Sequence, residues 1–126
     1  MTEPGPEPER VAILADDLIW ATRLADAVAA AGAVALRTRR QPDLEALLAE
    51  GRADRSVIDL TARAYDGVAA IAAARAAGAR VIAVGQHDDL ELRKRALAAG
   101  AERVFAYRLL FEAGPSKLRA WLESEA

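Results

Sequence analysis
The chain contains no cysteine, which removes disulfide frameworks, thiolate zinc sites and cysteine nucleophiles at one stroke. It also lacks a strong excess of either charge: the formal net charge is -2, and the arginines are scattered rather than grouped on one stripe, so nucleic acid is not expected as a direct partner. No apolar run is long enough for a membrane span. The longest mainly apolar stretch free of charge, around Ala27 to Leu36, falls well short of the roughly 18 residues required, and a soluble protein is expected. The start, residues 1–9, is rich in Pro and Glu without the basic-then-apolar pattern of a signal peptide, and reads as a disordered tail. A reducing, cytoplasmic setting fits this composition. No Gly-rich phosphate loop follows the first apolar run, and no G-x-x-x-x-G-K occurs, which argues against a nucleotide or cofactor binder.

What is present is a regular alternation. Short β-branched runs (Val11 to Leu14, Ala33 to Leu36, Ser56 to Ile58, Val81 to Val84, Val104 to Ala106) alternate with helix-like segments. Val11, Val34, Val57, Val81 and Val104 stand 23, 23, 24 and 23 residues apart, each step the length of one strand plus one crossover helix. That spacing predicts a single α/β domain over residues 10–126 with a parallel sheet. Runs one, three and four are continuously apolar, as strands covered on both faces should be. Runs two and five end in Arg37 and in Tyr107-Arg108, which suits edges.

Helix ends are punctuated too. Gly32, Gly51, Gly78 and Gly100 each follow a helical segment at a plausible C-cap, and Pro115 opens a last helix over Ser116 to Glu123 that places Leu118, Trp121 and Leu122 on one apolar face.

In an open parallel sheet, ligands bind beyond the carboxyl ends of the strands, so the residues just after each run matter most. These are Asp16-Asp17, Asp59, Gly85-Gln86-His87-Asp88 and Tyr107-Arg108. Three carboxylates converging there would repel unless a proton or cation lay among them, and an all-oxygen set suits Mg²⁺. The competing reading makes them strand-end and N-cap residues, which for Asp17 is about as good. Trp20 either borders this site or simply packs, His87 reads as a loop residue, and Asp88 or Asp89 as the cap of the fourth helix. Arg37, Arg39, Arg40 and Arg93 to Arg95 mark either a partner surface or, more simply, solvated charge.

Ile13-Leu14-Ala15-Asp16-Asp17, Val57-Ile58-Asp59, the Asp66-Gly67 pair and Ala98-Ala99-Gly100-Ala101 together resemble the bacterial response-regulator receiver domain. The resemblance implies a doubly wound, flavodoxin-like fold of five βα units with strand order 2-1-3-4-5. It implies Asp59 as phospho-acceptor from a histidine kinase, with Asp16, Asp17, Asp59 and the backbone carbonyl of Thr61 holding Mg²⁺, which neutralises charge on the transferring group. The chain departs from the family pattern in two places. Gly85 stands where receivers carry a Ser or Thr hydroxyl, and Tyr107-Arg108 stands where they carry Lys-Pro, leaving Arg108 as a substitute cation only if a local bend turns it toward the site.

The chain is therefore similar to atypical or pseudo-receivers. The expected function is a signalling module, not an enzyme, acting by protein interaction with little or no phosphorylation. The alternative is a working Mg-dependent acceptor phosphorylated on Asp59. Either would work through a histidine kinase, an output protein or a second copy of the chain.

Overall fold
A computed structural model describes residues 7–124; the first six residues of the expected tail lie outside the described residues. Five βα units follow one another: β1 (Arg10–Leu14), α1 (Leu18–Ala30), β2 (Val34–Thr38), α2 (Gln41–Ala49), β3 (Arg55–Asp59), α3 (Gly67–Ala76), β4 (Arg80–Gly85), α4 (Leu90–Ala99), β5 (Val104–Ala106) and α5 (Tyr107–Glu123). All strand pairs are parallel, in the order β2-β1-β3-β4-β5. This is the flavodoxin-like (βα)5 arrangement, and the strand order reverses beside β1 and β3, where the acidic residues lie.

The period of two along each strand divides the interior into two cores. Val11, Ile13, Val57, Ile82 and Val84 face Leu24, Val28, Leu118 and Trp121 of α1 and α5. Ala12, Leu14, Ile58, Val81 and Ala83 face Leu44, Leu48, Ile71 and Ala96 of α2, α3 and α4. Strands β1, β3 and β4 are buried along nearly their whole length, whereas β2 is half exposed, as an edge strand covered on one side should be. Glu9 stands just before β1; its carbonyl accepts from Val34 N–H at 2.8 Å and its carboxylate pairs with Arg55.

Local chemistry sets the helix ends. Asp17, Asp66 and Asp89 are N-caps, the last two accepting from Val68 and Ala69 and from Leu92 respectively. Glycines 32, 51, 78 and 100 all have positive φ, as glycines beyond a helix end commonly do. Gly67 answers to space instead: a Cβ there would stand 3.1 Å from Leu60 Cα, so α3 can start this close to the end of β3 only without a side chain.

The last unit differs from its expectation. β5 stops at Ala106, and Tyr107 and Arg108 open a helix instead of ending a strand. Helix α5 then runs to Glu123, with non-helical torsions at Ala113 (φ -141°, ψ 25°) and Pro115 within it, so it consists of two pieces across a kink. Pro115, expected to open a separate last helix, stands at the start of the piece beyond this kink, because proline cannot donate to the preceding turn.

Truncating the α3 cap tests this local account. Asp66→Ala should cost about 1 kcal/mol, lowering the melting temperature by a few degrees, while Asp66→Asn should cost much less. Equal melting of all three proteins would show that the cap contributes nothing.

Candidate functional site
At the carboxyl end of the sheet, Asp59 terminates the central strand β3 and is 1 % exposed. Its Oδ1 accepts from the Thr61 N–H at 3.0 Å and from the Tyr107 hydroxyl. Its Oδ2 is buried with no hydrogen-bond partner among the described residues. A carboxylate in this position is costly to ionise, and three influences compete. Burial raises its pKa most strongly; the Tyr107 and Thr61 hydrogen bonds favour the charged form; the neighbouring charges of Asp16 and Asp17 disfavour it. The result is a pKa pushed up to about 6.

Asp16 and Asp17 reach the site from the end of β1, each tied to backbone. Asp16 Oδ2 accepts from the N–H groups of Arg63 and Ala64 at 2.8 and 2.9 Å, holding the β3–α3 loop against β1. Partial burial works against its ionisation, but those amides together with Arg39 outweigh it and keep its pKa below the usual value. Asp17 Oδ1 caps α1 through Trp20 N–H at 2.9 Å. The metal-site and cap readings of the sequence thus meet in one place: the aspartates are close enough to disturb Asp59, yet two of them carry structural hydrogen bonds.

Oxygen donors of this kind suit Mg²⁺ in their chemistry, and the orphaned Asp59 Oδ2 is an acceptor in want of a partner. Their spacing does not suit it as they stand. Among the described residues no three acidic or histidine side chains are grouped closely enough to hold a metal ion. Asp16, Asp17, Asp59 and the Thr61 carbonyl are the oxygens that would have to come together to hold it.

Two tyrosines complete the site. Tyr107, flagged in the sequence only as a departure from lysine, reaches Asp59 because it is the first residue of α5, directly after β5. Trp20, one turn into α1, stacks on it with ring centroids 4.3 Å apart, so Trp20 does border the site. Tyr65 carries no signal of its own in the sequence. Its hydroxyl lies 3.0 Å from the Leu14 carbonyl oxygen and 2.6 Å from that of Asp59, bridging the ends of β1 and β3. Burial in first place, and Asp59 beside them, push both tyrosine hydroxyls above their ordinary pKa, so both stay protonated donors.

The remaining candidates lie elsewhere. Arg108 is not the substitute cation: on the first turn of α5 its side chain is 86 % exposed and pairs with Glu112 at 3.0 Å. The bend needed to turn a strand residue inward never arises, because the residue is helical. At Gly85 a Cβ would stand 3.3 Å from Leu60 Cδ1, so the leucine occupies the space next to the missing hydroxyl. His87 is exposed, and Arg93 donates to the Val104 carbonyl at 2.9 Å, tying α4 to β5 as well as carrying surface charge.

The raised pKa of Asp59 has a definite sign. The stability that its protonated form lends to the fold is fully present below the unfolded pKa near 4 and is lost as pH rises through about 6. Relative to Asp59→Asn, the parent should therefore lose stability between about pH 4 and pH 7, on the order of 3 kcal/mol. Thermal melts of both proteins across that range check it, and parallel curves would contradict it.

No protein-family model matches the chain, and no curated protein matches it. Solved structures do. The signal receiver domain of the putative response regulator NarL from Mycobacterium tuberculosis superposes with a TM-score of 0.79 at 19 % identity, covering 95 % of this chain and 100 % of that one. A response regulator from Thermotoga maritima gives 0.79 at 13 % identity, covering 94 % and 100 %. A Burkholderia pseudomallei response regulator, solved with a phosphorylated aspartic acid, calcium ion and citrate, gives 0.70 at 16 % identity, covering 91 % and 73 %. At these identities the likeness is one of architecture: the chain has the fold of the CheY-like response-regulator receiver domain.

Proposed function
We propose that this chain is a receiver-type signalling domain in which Asp59 is the phospho-acceptor and takes up a phosphoryl group slowly. The observation that carries this reading is Asp59 itself, a carboxylate at the end of the central strand with one oxygen fixed by two donors and the other, Oδ2, bonded to nothing. With a pKa of about 6 it is largely ionised at neutral pH, as a nucleophile must be. In the transfer one Asp59 oxygen forms a bond to phosphorus while the bond from phosphorus to the donor's leaving group breaks. The phosphorylated aspartate of the Burkholderia regulator, in the same fold, favours this reading over one without phosphorylation. The donor proposed is a histidine kinase or a small acyl phosphate, and the downstream partner an output protein or a second copy.

Specific features favour the second reading, an interaction module that works without phosphorylation. Asp59 is almost fully covered, Tyr107 already holds one of its oxygens, and neither a strand-four hydroxyl nor a strand-five lysine is present. These are the grounds for expecting slow transfer.

Incubation with acetyl phosphate and Mg²⁺, followed by intact mass, separates the two. One phosphoryl group should be added slowly to the parent and none to Asp59→Asn. Gly85→Thr combined with Tyr107→Lys should increase the rate, provided Leu60 yields the few tenths of an ångström that the new side chain needs. Absence of label from both the parent and the double variant would leave the interaction module as the function.

A further inference from the structure
Asp59 Oδ2 is the carboxylate oxygen without a partner, and it is out of reach of solvent. Anything that reacts with it must first be let in. Tyr107 stands over the carboxylate, with its hydroxyl on Oδ1 and its ring under Trp20.

The segment carrying Tyr107 is joined to the rest of α5 through the kink at Ala113, with Pro115 just beyond. The portion after the kink is firmly held. Gly114 packs against Ala27, Leu118 and Trp121 are buried, Arg119 donates to the Ala30 carbonyl, and Arg55 and Arg80 donate to the carbonyls of Leu122 and Ser124.

The portion before the kink, residues 107–112, is held far less. Leu110 is its one fully buried side chain, Phe111 is 67 % exposed, and Arg108 and Glu112 pair with each other in solvent. Its links to α1 are the packing of Leu110, with partly buried Tyr107 and Leu109, in the core shared with Leu24 and Val28, the Trp20–Tyr107 stack, and Arg23, whose guanidinium lies 4.9 Å from the Phe111 ring and 5.2 Å from that of Trp20. Beside it a cleft of about 300 Å³ opens between α1 and α5, lined by Leu24, Ala27, Leu110 and Pro115 among others. Cleft, kink and sparse anchoring together describe an element that can move while the remainder of the helix stays in place.

We propose that residues 107–112 form a latch hinged at Ala113, and that Tyr107 is its bolt: closed, it holds Oδ1 and shields Oδ2 of Asp59; open, it exposes the carboxylate to small electrophiles. Tyr107 is then a positioning and gating residue in this chain, acting by occupancy and hydrogen bonding where a lysine would act by charge. The latch deepens the role assigned to Asp59 above but does not require that the residue be phosphorylated.

Its test therefore uses a reagent other than a phosphodonor. The folded full chain is treated with a water-soluble carbodiimide and glycinamide near pH 6, and modification of each carboxyl group is followed by peptide mass mapping, with the exposed Asp88 as internal reference. Asp59 should react slowly in the parent, severalfold faster in Tyr107→Phe, which keeps the ring but loses the hydroxyl, and at least tenfold faster in Tyr107→Ala, with Asp88 unchanged. Circular dichroism and a melt verify the fold. If Tyr107→Ala unfolds, Tyr107→Phe decides alone, and a rate equal to the parent's overturns the latch, as does parent-like protection in both folded variants. Faster modification without any acetyl phosphate labelling would uphold the latch and refute only the acceptor role.

Discussion
A carboxylate buried at the end of the central strand imposes the arrangement around it. Water is excluded from Asp59, so its oxygens depend on protein donors; Thr61 N–H and Tyr107 O–H supply two of them, both to Oδ1. Neither is a cation. Neutral donors offset only part of the desolvation cost, and the charges of Asp16 and Asp17 act in the opposite direction, which is why the group titrates near 6 and not in the ordinary carboxylate range. The Oδ2 left without a partner is thus a source of instability and, in the function proposed, the free oxygen of the acceptor.

The two halves of α5 divide the labour. Below the kink, the helix closes the core over α1 and is fastened to the amino-terminal ends of the strands by Arg55 and Arg80; Glu102 accepts from Arg80 and from Trp121 Nε1, and the Arg80 guanidinium also lies over the Trp121 ring. Above it, a short helical segment is held by the buried Leu110, by partial packing of Tyr107 and Leu109 against the core, and by aromatic and cation–π contacts and one tyrosine hydroxyl. The aromatic, cation–π and hydroxyl contacts are individually worth about 1 kcal/mol, small enough for a bound partner or a modified Asp59 to rearrange. The signalling function proposed would need an element whose two positions differ little in free energy, and the latch proposed for residues 107–112 is such an element.

Much of this was legible in the sequence because it rests on period and punctuation. Five runs that each hold a valine, at nearly equal spacing, identify the parallel sheet; the polar end of run two marks one edge, and β5 is the other edge although the Tyr107-Arg108 that suggests it lies in α5. Asp17 and Asp89 act as caps where their type and place suggest, and Asp66 adds one that the sequence marks only as part of the resemblance. The positions of Asp16, Asp17 and Asp59 beyond β1 and β3 followed from topology alone. What escaped was decided by contacts that no local pattern encodes. Tyr107-Arg108 reads equally well as the end of a strand or the start of a helix, and only the helical course sends one side chain to Asp59 and the other to Glu112. Tyr65 sits in a loop without periodicity, and its bridge between two strand-end carbonyls exists only once the strands are adjacent. Likewise the commitment of Asp16 to the Arg63 and Ala64 amides depends on how the β3–α3 loop closes, which the residue types do not specify.

The pairing of Asp59 with Tyr107 is tested most directly by following the Asp59 side-chain carboxyl carbon by NMR through a pH titration of the parent and of Tyr107→Phe. The parent should titrate near pH 6, and Tyr107→Phe higher still, because it loses a hydrogen bond that favours the ionised form. A parent midpoint near the ordinary carboxylate value of about 4, unchanged by the substitution, would contradict both the burial of Asp59 and its dependence on Tyr107.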